Sequence, residues 1–69
     1  MVEVFKTNVQ ETEQAELLID LLRQHFPGSK INFDLDDCDK VLRIEGIDFI
    51  TGNVIDALKQ QGFMCNLLE

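Results

Sequence analysis

The run Ile31-Asn32-Phe33-Asp34-Leu35-Asp36-Asp37-Cys38-Asp39-Lys40-Val41-Leu42-Arg43-Ile44-Glu45 decides the fold. Ile31, Phe33 and Leu35 alternate with Asn32 and Asp34, and the segment from Lys40 to Glu45 alternates again. Side chains of an extended strand point to opposite faces in turn, so each half reads as a strand with one buried face. The four polar residues 36–39 between them make too short a link for a crossover, which leaves an antiparallel hairpin ending at Gly46.

Outward from the hairpin the periodicity changes on both sides. Upstream, apolar residues at Ala15, Leu18, Ile19, Leu22 and Phe26 recur at helical spacing. Leu17 and Leu21 are expected to widen that stripe, and Glu11 or Thr12 to open the helix. Pro27-Gly28 stops it, by lacking an N–H donor and by tolerating positive φ. Before it, Val2 to Val9 mixes Val, Phe and Thr with charge, as a half-buried strand does. Downstream, Asp48 or Thr51 is expected to cap a second helix that turns Ile50, Val54, Ala57 and Leu58 inward and closes at Gly62. Phe63 to Leu68 forms the last strand.

The order βαββαβ, over one domain spanning residues 1–69, predicts an α+β ferredoxin-like sandwich: a four-stranded antiparallel sheet with two helices on one face. The expected strand order is fourth, first, third, second. Leu18, Leu22, Phe33, Leu35, Leu42, Val54 and Leu58 are expected in the core. The first loop near residues 9–12, the hairpin tip at 36–39 and the loop at 62–64 should emerge at one end, and the other sheet face should stay uncovered.

Thirteen acidic against six basic side chains give a net charge of −7. Such a surface repels phosphate backbones and anionic headgroups, so neither nucleic acid nor membrane is an expected partner. No apolar run approaches the roughly 20 residues that span a bilayer, and the chain starts on a strand pattern with no leader, so a cytoplasmic location is expected. Cys38 and Cys65 lack C-x-x-C spacing and are expected to stay reduced and unpaired.

Phe5-Lys6-Thr7-Asn8-Val9 before a helix, Phe33-Asp34-Leu35 leading into Lys40-Val41-Leu42-Arg43-Ile44, and Leu58-Lys59-Gln60-Gln61-Gly62-Phe63 before the last strand resemble the heavy-metal-associated domain, the fold of small copper chaperones. In that family a Met-x-Cys-x-x-Cys motif in the first loop binds Cu(I) through two thiolates. The resemblance places Val9 at the methionine, Glu11 at the first cysteine and Gln14 at the second. A carboxylate and an amide are hard oxygen donors, whereas Cu(I) prefers sulfur. The resemblance therefore implies the scaffold without its metal site, and it matches Phe63 to the aromatic residue that packs beside the metal loop.

Glu11, Glu13 and Glu16 in the first helical turn favour the positive end of the macrodipole and occupy the field that would otherwise hold a phosphate. Asp34, Asp36 and Glu45 fall at positions one, three and twelve of a calcium loop. The match fails, because Asp39 stands where glycine must turn and Leu42 to Glu45 reads as strand. His25, near the far end of the first helix, is the single imidazole, and no serine or cysteine has an evident base; no enzyme activity is expected.

The leading expectation is a non-enzymatic binding module without a cofactor, engaging a protein through Glu11, Glu13, Asp36, Asp37, Asp39 and Phe63, or self-associating through the open sheet face. Two alternatives are a metal-handling protein that uses Cys38, Cys65 or the acidic cluster for weak binding, and an ACT-like small-molecule sensor, which would want a glycine in the first loop.

Overall fold

A computed structural model of the chain describes residues 1–47 and 49–68. Its elements run β1 (Val2–Thr7), α1 (Thr12–His25), β2 (Lys30–Asp34), β3 (Val41–Glu45), α2 (Thr51–Gln60) and β4 (Cys65–Leu67). The four strands form one antiparallel sheet in the order β2-β3-β1-β4. This is the ferredoxin-like α+β arrangement that the alternation and helical spacing predict.

One set of alternating strand residues meets the helices. Phe5, Leu42 and Ile44 are fully buried, Ile31 and Cys65 nearly so, and they pack with Val9, Ala15, Leu18, Leu22, Phe49, Val54 and Leu58. Burying each large side chain of this kind contributes roughly 1.5–3 kcal/mol. The opposite face presents Val4, Lys6, Val41, Arg43, Glu45, Asn32 and Asn66 to solvent or half to solvent.

Five of the seven expected core residues are buried, while Phe33 and Leu35 are only half-buried. Phe33 lies on β2 and Leu35 just beyond its end, along an edge of the sheet that α1 covers incompletely. Leu17, expected to widen the buried stripe, is 71% exposed, because the α1 face that packs is centred on Ala15, Leu18 and Leu22. At α2 the cap is Ile50, so Thr51 is the first helical residue and not the cap, and Asp48 lies outside the described residues. Ile50 is 67% exposed and Phe49 takes the inward place expected of it. The last strand is shorter than the Phe63 to Leu68 pattern, since Phe63 is held in the turn after α2, where its N–H donates to the Leu58 carbonyl at 3.0 Å. Gly62, with φ of +89°, makes that turn in a region L side chains avoid.

Candidate functional site: the loop end

Backbone and side-chain bonds draw three loops to the end of the sheet where β1 finishes. The Thr7 N–H donates to the Asp39 carbonyl at 3.1 Å, and the Thr7 hydroxyl donates to the Lys40 carbonyl while accepting from the Val9 N–H at 3.2 Å. These bonds fix the hairpin tip against the first loop. The Met64 N–H donates to Asn8 Oδ1 at 2.8 Å, which fixes the loop before β4 to the same place. The expectation that residues 9–12, 36–39 and 62–64 converge is thus met by specific bonds.

Glu11 and Gln14 turn out to be occupied with the helix. Glu11 is the N-cap of α1, and its N–H donates to Gln14 Oε1 at 3.3 Å in a capping box that satisfies otherwise orphaned helix donors. Val9, aligned by the resemblance with the metal-loop methionine, is fully buried in the core. All three positions therefore serve the fold. Glu13 lies in the first turn of α1, exposed, where the macrodipole favours a negative charge.

The hairpin tip is built from a tight turn. The Lys40 N–H donates to the Asp37 carbonyl at 3.0 Å, the Asp39 N–H donates to Asp37 Oδ1 at 2.8 Å, and Lys40 closes the turn with φ of 48°. Lys40 Nζ donates to the Leu35 carbonyl at 2.8 Å, and Lys6 Nζ stands 3.7 Å from Asp39 Oδ1. Both nearby ammonium groups are engaged within the chain, and Glu11, Glu13, Asp36 and Asp37 are left without an ion-pair partner among the described residues.

Ligand atoms of Asp37, Cys38 and Asp39 lie within 4.8 Å of one another. Cys65 does not join them. It sits in the core on β4, opposite Thr7, with its thiol pushed up from 9.0 to about 12 because burial disfavours the thiolate. Cys38 is exposed and both thiols are free, as expected from their spacing. The tip thus offers one thiol and two carboxylates on a single turn, without the two-thiolate pair that soft ions need.

Phe63 is half-buried and lines a small cleft of about 120 Å³ with Gln61 and with Gln14, Leu17, Leu18 and Leu21 along α1. Leu17 and Met64, 71% and 61% exposed, give this flank an apolar surface that sequence reading missed. A second cleft, of about 390 Å³ between α1 and β2, is lined by Thr12, Ala15, Glu16, Ile19 and residues 32–36. His25 lies elsewhere, in a cleft of about 280 Å³ between the helices with Asp56 and two glutamines, which no thiol or hydroxyl lines. Asn8 and Thr7 were also missed. Their role is a long-range bond, which leaves no periodic signal.

No protein-family model, curated protein or solved structure matches the chain. Among the described residues, no helix is long and apolar enough to cross a membrane.

Proposed function

We propose that this chain is a heavy-metal-associated-like scaffold whose metal loop has become a helix cap, and that it works as a non-enzymatic, cytoplasmic protein-binding module docking a basic partner on its loop end. The observation that carries the reading is the convergence of Glu11, Glu13, Asp36, Asp37 and Asp39 around loops tied together by Thr7 and Asn8, with Lys40 bound to the Leu35 carbonyl and the exposed Lys6 offsetting Asp39 alone. A preorganised, predominantly negative surface steers an oppositely charged partner and costs little ordering entropy on binding. Phe63, Leu17 and Met64 add an apolar flank that such a partner can desolvate.

The test is capture of interacting proteins on immobilised wild-type chain beside the Asp36→Lys/Asp37→Lys/Asp39→Lys variant, with circular dichroism to show that both are folded. The reading expects basic partners that the wild type retains, the variant loses and salt elutes. Partners held equally by both, or tight stoichiometric metal in elemental analysis of the purified protein, would replace it with another surface or with metal handling.

A further inference from the structure

The two free edges of the sheet are unequal. β4 offers three residues, whereas β2 offers five, Lys30-Ile31-Asn32-Phe33-Asp34. The ladder parity shows which backbone groups lie open. Gly46 N–H donates to the Met1 carbonyl at 3.0 Å, so residues 46, 44 and 42 turn their backbone toward β1, and Glu45, Arg43 and Val41 turn theirs toward β2. Their partners Lys30, Asn32 and Asp34 close that ladder, which leaves the N–H and C=O of Ile31 and Phe33 facing the free edge. Such a row is a template for another strand.

We propose that the β2 edge is a self-complementary surface on which a second copy of this chain pairs antiparallel about Asn32, joining the two sheets into one. Reversed on itself about Asn32, the strand sets Ile31 opposite Phe33 of the second copy as the pair that exchanges both backbone bonds. Lys30 then faces Asp34 of the second copy, twice by symmetry, and the two Asn32 amides meet at the axis. These are non-hydrogen-bonded positions, where facing side chains stand closest. Neither Lys30 nor Asp34 has an ion-pair partner within its own chain among the described residues.

The helix beside the edge obeys the same reversal. Thr12, Glu16 and Ile19 line the cleft along β2, and Arg23 continues that side of α1 at helical spacing. Because β1 and β2 both pair antiparallel with β3 and α1 connects them, α1 runs opposite to β2, with Thr12 toward the Asp36 end. Glu16, Asp34 and Asp36 thus make one end of this edge negative, and Arg23 and Lys30 make the other positive. An antiparallel copy brings unlike ends together, Glu16 toward Arg23 of the second copy, with Ile19 near the centre. A parallel copy would set like on like, and a C2 arrangement is what closed, self-complementary pairing requires.

Sedimentation equilibrium at about 0.15 M salt, where the repulsion between two copies of charge −7 is screened beyond about 8 Å, reads the proposal directly. The wild type is expected to show a monomer–dimer equilibrium. Lys30→Asp or Asp34→Lys alone sets like charges at both symmetric positions and should weaken the dimer by about tenfold or more. The two single variants mixed in equal amounts should recover it as a heterodimer, since each supplies the sign the other lacks, and the double variant should recover it alone. Hydrogen exchange at the Ile31 and Phe33 amides should slow as concentration rises. A wild type that stays monomeric into the millimolar range, or a dimer indifferent to both single changes, overturns the proposal. Neither residue belongs to the acidic loop set, so this outcome is independent of the loop-end reading.

Discussion

The open face of the sheet and the loop end are both free of helix cover, yet they differ in charge and in rigidity. On the open face Lys6, Lys30 and Arg43 alternate with Asp34 and Glu45, and Arg43 Nη2 stands 3.9 Å from Glu45 Oε1. Mixed signs around the half-buried Val4 and Val41 keep a sheet face hydrated and attract no particular partner. At the loop end carboxylates dominate, and the bonds from Thr7 and Asn8 hold three loops in one arrangement. On the proposed reading, predominantly negative charge on a fixed frame, and not exposure alone, is what would mark a docking surface. Self-association through the open face, expected from the uncovered sheet, finds less support than pairing through the β2 edge.

The largest expected effect sharpens the contrast at the loop end. Replacing Glu11 and Gln14 together, Glu11→Cys/Gln14→Cys, should raise Cu(I) affinity by orders of magnitude in a competition titration, because two soft donors would replace a carboxylate and an amide on one helical turn. The same change removes the capping box, so stability should fall by about 0.5–2 kcal/mol in the absence of metal. Tight Cu(I) binding by the unaltered chain would break the account.

Leu22→Ala removes the frame under both surfaces. Leu22 is fully buried between α1 and the sheet, and its truncation should cost about 2–5 kcal/mol in chemical denaturation. Leu17→Ala, whose side chain is 71% exposed, should stay within about 0.5 kcal/mol.

These two leucines also show what the sequence could convey. Periodicity located both helices and the hairpin, because apolar spacing reports burial averaged over an element, and the strand order followed from the βαββαβ succession. It did not separate Leu17 from Leu18, or Ile50 from Phe49, since which residue of a neighbouring pair turns inward depends on where α1 and α2 cross the sheet. Phe33 and Leu35 read as core and are half-buried because β2 is an edge. The acidic residues of the site were legible by composition and topology. The bonds that gather them, from Asn8 to Met64 across 56 residues and from Thr7 to Lys40 across 33, were not.

A smaller effect separates the two thiols. Cys38 should react promptly with an alkylating reagent in the native protein, and Cys65 only on unfolding. Because folding raises the Cys65 pKa from 9.0 to about 12, the unfolded chain holds fewer protons in that interval. The stability this thiol lends is complete below about pH 9 and declines as pH rises toward 12, and Cys65→Ala should lessen the decline. Equal decline in both proteins would place its cause elsewhere.

The central claim, an acidic loop end that steers a basic partner, is tested most directly by the association rate with a captured partner as ionic strength is raised, for the wild type and for Asp36→Lys/Asp37→Lys/Asp39→Lys. The account predicts a wild-type rate that falls steeply with salt and a variant rate that is lower at low salt and nearly flat. Equal rates with the same salt dependence in both proteins would contradict it.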